Sequence, residues 1–304
     1  MHNEIFMRLP EWLKKNQHSN PQIHSLKHGL RNKNIHTVCE EAKCPNICEC
    51  FSRNTATFMI MGNICTRSCK FCAVKSGKPL DLQKQEPVQI ADAAFHLKLK
   101  HIVVTSVTRD DLADGGAYHF SLTIKAVQKR LPDSTIEVLT PDFNGNLDSL
   151  HTVLDASPDI YNHNIETVKR LTPEIRDRAS YNLSLFMLKS AKKYMIEKNM
   201  RAFVKSGFMV GLGETEAEVF ETIHELKLNG CDIITIGQYL KPRKTSYEVK
   251  EYIKPNIFEK YKRAGEELGI KMFCGPLVRS SYMADRLVTC PSHSHSAKDG
   301  SASG

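Results

Sequence analysis

Three cysteines carry the strongest chemical signal in this chain. They are Cys65, Cys69 and Cys72, in the run Cys65-Thr-Arg-Ser-Cys69-Lys-Phe-Cys72, with three and then two residues between them. The run follows a short apolar stretch, residues 56–62, that reads as a buried strand. Three thiolates can hold three irons of a cubane 4Fe–4S cluster and leave the fourth iron open. A structural zinc site takes four ligands, and an electron carrier built on cysteines alone also takes four. The missing fourth ligand is therefore the informative feature, because an open iron can bind a substrate or cofactor. The bland alternative is three unrelated buried thiols.

A second constellation lies upstream. Cys39, Cys44, Cys48 and Cys50 fall within twelve residues. A second cluster is the natural reading, but spacing alone cannot choose three of the four. A zinc site built from all four is the rival. Cys231 and Cys290 have no partners at useful spacing. The first thirty residues include Glu4, Arg8, Glu11, Lys14, Lys15 and Lys27 and hold no unbroken apolar run. No stretch approaches the ~18 apolar residues that span a bilayer. These features predict a cytoplasmic chain whose cysteines are reduced, so metal ligation is favoured over a disulfide framework.

Something must position those thiols. Residues 1–54 form a leader, with LPEWLKK as a short amphipathic helix candidate, a polar segment over roughly residues 18–36, and turns at Pro45 and Asn46. From residue 55 strands and helices alternate. Strands are predicted at 101–107, 135–140, 159–164, 203–211 and 232–240, and helices at 87–100, 117–130, 146–154, 184–199 and 256–269. Thr215 and Glu218 form a capping-box pair at the start of another helix. Such repetition predicts an α/β fold with a partial, open parallel β/α barrel of about six strands. The predicted division is a cysteine-rich extension (1–54), the barrel (55–273), a C-terminal segment (274–290) and a disordered tail (291–304).

The 304 residues carry 42 Lys and Arg against 34 Asp and Glu, a formal charge of +8. That balance excludes an acidic disordered chain and permits an acidic partner. Lys241, Arg243 and Lys244 form a basic run after a strand, suited to steering such a partner. No fold motif or stacking pattern supports nucleic-acid binding. Gly211, Gly213 and Glu214 follow a strand, where glycines allow close backbone approach to a ligand. Arg109, Asp110 and Asp111 open a loop ending in Gly115-Gly116; an acid there suits either a ligand hydroxyl or a structural ion pair.

The Cys65–Cys72 loop, with Phe71 before its last cysteine, resembles the radical S-adenosylmethionine superfamily. Further motifs resemble the lipoyl synthases within it. They are Cys39-Glu-Glu-Ala-Lys-Cys44-Pro-Asn-Ile with Glu49-Cys50, Gly62-Asn-Ile-Cys65-Thr-Arg, the run from Val104 to Ala117, Tyr161-Asn-His-Asn-Ile-Glu-Thr167, Lys205 to Glu214, Gly237-Gln-Tyr-Leu240 and Gly275 to Tyr282 with its Arg279-Ser-Ser-Tyr282. The resemblance covers about residues 8–284.

This resemblance implies two 4Fe–4S clusters and S-adenosylmethionine. The open iron on Cys65, Cys69 and Cys72 chelates the cofactor, whose reductive cleavage yields a 5′-deoxyadenosyl radical. The substrate is an octanoyl chain amide-linked to a lysine of a lipoyl carrier protein or domain, and sulfur enters at C6 and C8. The auxiliary cluster on Cys39, Cys44 and Cys50 donates the sulfur, with Ser280 as its fourth ligand. A hydroxylate is a harder, weaker ligand for iron than a thiolate, which suits a cluster that is consumed. Asn162, His163 and Asn164 are expected at the ribose or methionine moiety, and Gly211, Gly213 and Glu214 on a cofactor-facing loop. Implied partners are a low-potential electron donor such as flavodoxin or ferredoxin and an iron–sulfur carrier that rebuilds the consumed cluster. The chain departs from the family pattern at Cys48, Cys274 and Met283, where glycine, serine and histidine are usual. A biotin synthase-like enzyme and a non-catalytic metal scaffold are the competing readings.

Overall fold

A computed structural model describes residues 8–14, 28–31, 35–42, 44–52 and 55–281, apart from the side chains of residues 51 and 52. The expected tail, Tyr282, Met283, Cys290 and residues 18–27 of the polar segment lie outside the described residues. Ten strands are present among the described residues: β1 (His36–Thr37), β2 (Thr55–Ile60), β3 (Ile64–Cys65), β4 (Lys75–Ser76), β5 (His101–Ser106), β6 (Thr135–Leu139), β7 (Ile160–Asn162), β8 (Phe203–Val210), β9 (Ile233–Gln238) and β10 (Lys271–Gly275).

The main sheet runs β1-β2-β5-β6-β7-β8-β9-β10. All neighbours pair in parallel except β1, which lies antiparallel on β2. The ends β1 and β10 do not pair, so the barrel is open. It holds seven parallel strands where about six were expected. The additional strand is β10, in the short run Lys-Met-Phe-Cys-Gly, which straddles the expected boundary after residue 273.

The central strands are continuous apolar runs because helices cover the sheet; β2 and β9 are buried at every position. The helices begin where local chemistry supplies partners for their free N–H groups. Asn146 caps Leu147–Leu154, Ser180 caps Tyr181–Glu197, and the Thr215–Glu218 capping box opens Glu216–Leu228. Most of the buried apolar residues join one large core. Separately, Val103, Ile160 and Ile233 meet as one residue from each of β5, β7 and β9, the alternation of an inward-facing barrel layer.

The leader differs from expectation. LPEWLKK forms only a 3-10 turn, Glu11–Leu13, burying Leu13. The cysteine-rich segment forms two short helices, Val38–Glu41 and Ile47–Ser52, on either side of a turn at Pro45 and Asn46. Among the described residues no helix is long and apolar enough to cross a membrane.

Candidate active site

The Cys65–Cys72 loop leaves the C-terminal end of β2 and is pinned by Arg67. Its guanidinium donates to both carboxylate oxygens of Asp110 (3.0 and 2.8 Å) and of Asp142 (2.8 and 2.7 Å), and to Asn144 Oδ1 (2.8 Å). Burial pushes both carboxyls up, but the hydrogen bonds and charge of Arg67 outweigh it and hold them below the usual range. Ser68 is held by Asp177, whose carboxylate accepts its N–H at 2.8 Å. The sulfurs are oriented too. Cys65 Sγ accepts the N–H groups of Arg67 and Thr108 (3.4 and 3.3 Å), and Cys72 Sγ accepts that of Val74 (3.4 Å). Burial pushes the Cys72 thiol up to about 11 and raises that of Cys69.

The extension reaches the same place from the β1 side. Thr37 caps Val38–Glu41 and accepts the N–H of Glu40. Cys39 is buried against β2, and burial pushes its thiol up to about 11. Asn46, in the turn after Cys44, donates from Nδ2 to the carbonyl of Leu277 at 2.7 Å. That bond ties the cysteine-rich segment to the C-terminal segment. Thr57 of β2 donates to Ser281 Oγ (2.9 Å), and Ser280 donates to Asn164 Oδ1 (3.0 Å). Gly237 lets the chain pass: a Cβ there would stand 2.0 Å from the Val278 carbonyl oxygen.

These pieces enclose a cavity of about 640 Å³, within the range of ligand cavities. Cys39, Cys44, Cys65, Cys69 and Cys72 all line it, as do His163, Asn164, Glu166, Ser280 and Lys241. A second cavity of about 520 Å³, between Arg31, Glu40, Lys75 and Arg243, holds no cysteine. Both ring nitrogens of His163 are engaged. The Thr140 carbonyl can only accept, so the proton sits on Nδ1 (2.9 Å). Ser184 accepts from Arg176 and donates to Nε2 (3.0 Å). Burial, aided by Arg176, lowers the His163 ring to about 4, so it is neutral.

Five expected site residues stand apart from the cavity wall. Asn162 lies beneath it and donates to Glu137 Oε1 (2.7 Å) and Ser280 Oγ (2.8 Å). Gly211, Gly213 and Glu214 form a turn in which the Glu214 carboxylate accepts the N–H groups of Gly211 and Leu212. That turn needs glycine, since Gly211 has φ +92°. Cys50, on the helix Ile47–Ser52, does not line the cavity either, and neither does Cys48, which packs on the main core.

Comparison with known proteins fits this arrangement. The radical SAM superfamily profile matches residues 59–226, and the profile of the N-terminal domain of lipoyl synthase matches residues 1–44. A lipoyl synthase from Caldanaerobacter subterraneus is 52% identical over 92% of this chain and 96% of its own length. One from a Geobacillus species is 49% identical over 97% of this chain and 99% of its own. The chain belongs to the lipoyl synthase family.

Solved structures share its fold at low identity. A methylornithine synthase aligns with a TM-score of 0.54 at 12% identity, over 84% of this chain and 72% of that one. A maturase of [FeFe]-hydrogenase gives 0.54 at 13%, over 84% and 63%. The donor set fits an iron–sulfur, S-adenosylmethionine-dependent lipoyl synthase: three thiols share one loop, and backbone N–H groups point at two of the sulfurs. Among the described residues no three His, Cys, Asp or Glu side chains converge to hold a single metal ion. A cubane spreads its thiolates over separate irons and does not require that convergence. Motif reading for lipoyl synthases overlooked Arg67, Asn46, Glu166 and Arg176. Glu166 is half-buried on the cavity wall beside Arg176, and burial raises its carboxyl. A charged residue inside a cysteine motif, as Arg67 is, was the one signal available.

Proposed function

We propose that this chain replaces one C–H bond at C6 and one at C8 of a protein-bound octanoyl chain with C–S bonds, as the family resemblance implies. The observation that carries the reading is that thiols from two separate segments, Cys39 and Cys44 on one and Cys65, Cys69 and Cys72 on the other, line one cavity. The proposed ligand sets are Cys65, Cys69 and Cys72 for the cofactor-binding 4Fe–4S cluster, and Cys39, Cys44, Cys50 and Ser280 for the auxiliary one. With S-adenosylmethionine, the first supplies an organic radical that takes hydrogen from an unactivated C–H bond, and the second supplies sulfur.

The chain's own residues set the geometry for that chemistry. Arg67, Asp110 and Asp142 hold the first loop rigid. Asn46 and Gly237 seat the segment that carries Ser280. Neutral His163 fixes the end of β7, placing Asn164 on the cavity wall. An octanoyl chain has no charged handle, so docking of its carrier must decide which carbon faces the radical. Lys241, on the cavity wall, and Arg243 and Lys244, which follow it in the chain, are the proposed steering charges. Further proposed partners are a flavodoxin- or ferredoxin-type electron donor and an iron–sulfur carrier. A reducing, cytoplasmic setting is proposed, because ligation of iron needs these cysteines as thiolates rather than disulfides.

Mass spectrometry tests the reading. Octanoylated carrier incubated anaerobically with reconstituted protein, reductant and S-adenosylmethionine should lose two hydrogens and gain two sulfurs. Equal turnover of free octanoate would contradict carrier recognition.

A further inference from the structure

A fully buried ion pair lies below the cavity floor. Lys205 Nζ, on β8, donates to both oxygens of Glu137, on β6, at 2.9 Å, and neither side chain has any exposed surface. Burying two charges costs more than such a pair usually returns, and well-packed apolar residues would hold the barrel as well or better. The pair is therefore a poor device for stability alone. Neither residue reaches the cavity wall, and neither takes part in the chemistry assigned above.

Its third partner shows what it does. Asn162, on β7 between the two charged strands, lies opposite Lys205 in register. Its Nδ2 donates one hydrogen to Glu137 Oε1 (2.7 Å) and the other to Ser280 Oγ (2.8 Å). A carboxylate only accepts, so Glu137 fixes which way the amide is turned. Turned that way, the amide must donate to Ser280, and the Ser280 hydroxyl then donates to Asn164 Oδ1. Each proton in the chain Lys205, Glu137, Asn162, Ser280, Asn164 has one place to go. Asn162 Oδ1 has no hydrogen-bond partner, so the two Nδ2 bonds alone hold the amide, and turning it over would set its oxygen against the Glu137 carboxylate.

We infer that Glu137 and Lys205 are positioning residues that act through Asn162 to present the Ser280 oxygen with a fixed N–H donor. A fixed donor at that oxygen sets the orientation of the Ser280 side chain on the cavity wall, as outer partners orient the ligands of a metal site. The inference rests on the proposed role of Ser280 as auxiliary-cluster ligand.

The test isolates the auxiliary cluster in a Cys65→Ala/Cys69→Ala/Cys72→Ala protein and follows release of its iron to a chelator. Asn162→Ala should speed release about fivefold, the factor that one hydrogen bond of average net strength represents. Ser280→Ala should also speed release. The double variant should be no faster than Ser280→Ala alone, because Asn162 acts through that oxygen. Glu137→Leu/Lys205→Met removes both charges of the pair together, leaving His101, whose Nε2 lies 3.6 Å from Glu137 Oε2, without its carboxylate neighbour. The variant's iron-free melting temperature should match or exceed the parent's, yet its auxiliary iron should leave faster, and that increase should vanish on the Ser280→Ala background. A change confined to stability cannot produce this split. If Ser280→Ala releases iron at the parent rate, the ligand assignment fails and the inference with it. If Ser280→Ala is faster while Asn162→Ala and the Glu137/Lys205 variant match the parent, the ligand assignment stands and the positioning role is wrong. Additive effects in the double variants would also overturn it.

Discussion

Replacing Arg67 with methionine removes the clamp on the cysteine loop while keeping most of its volume. The Asp142 side chain, with no exposed surface, would then keep only the Asn144 N–H at 3.1 Å. Breaking a buried charge pair by removing one partner costs about 3–5 kcal/mol. Asp110 adds little, because its side chain is 17% exposed and water can replace the lost bonds. At about 2.1 cal/mol/K per residue, the unfolding entropy of 304 residues turns each kcal/mol into about 1.6 °C. The melting temperature of iron-free protein should fall by roughly 5–8 °C.

The pH dependence gives the sign. In the parent, Asp142 has a depressed folded pKa, so its carboxylate adds stability above about pH 4, lost as pH falls through the folded value. In Arg67→Met burial is opposed mainly by the single Asn144 N–H and raises that pKa, so the penalty is full at neutral pH. It shrinks on acidification as the folded carboxyl takes up a proton. Melting curves of both proteins at pH 7 and pH 5 check this. A drop below about 2 °C, or a gap between variant and parent that does not narrow at pH 5, would refute the reasoning. The loosened loop should also reduce formation of 5′-deoxyadenosine about a hundredfold, the usual cost of a misplacement near 1 Å.

Other perturbations separate the parts of the site. Asn46→Ala loses one buried hydrogen bond, about 1 kcal/mol; melting should move little, while auxiliary iron should become the first to be stripped by a chelator. Gly237→Ala places a Cβ 2.0 Å from the Val278 carbonyl oxygen, so sulfur insertion should fall about a hundredfold while cofactor cleavage persists; parental insertion would show that the segment does not need this passage. Cys69→Ala should abolish 5′-deoxyadenosine formation, and full cleavage by that variant would remove the loop from the cofactor site.

The barrel was legible because parallel strands covered on both faces are mostly apolar, as in His101–Ser106 and Ile233–Gln238, and because helix starts such as Thr215–Glu218 announce themselves locally. The bonds that assemble the site carry no such period. Asn46 meets Leu277, and Arg67 meets Asp142, through chain reversals that only the sheet order determines. Glu214 shows the same limit: the motif marks a glycine turn after a strand, but that the carboxylate accepts the N–H groups of Gly211 and Leu212 is seen only in the folded turn. Glu137 and Lys205 left a trace, single charges within the apolar runs TIEVL and FVKSGFMV, yet which charge answers which depends on β6 and β8 flanking β7. The cysteines could be grouped by spacing, but the choice among Cys39, Cys44, Cys48 and Cys50 came from family resemblance.

The central claim is that two thiol sets on one cavity do different work, one generating the radical and the other giving up sulfur. Cys44→Ala tests it most directly. The variant, reconstituted with isotopically labelled sulfide and given octanoylated carrier, reductant and S-adenosylmethionine, should still form 5′-deoxyadenosine but no lipoyl product. The parent and the Cys48→Ala control should transfer label into product, at no more than about one lipoyl group per chain before the cluster is rebuilt. Full insertion by Cys44→Ala, or unlabelled product from the parent, would contradict the account.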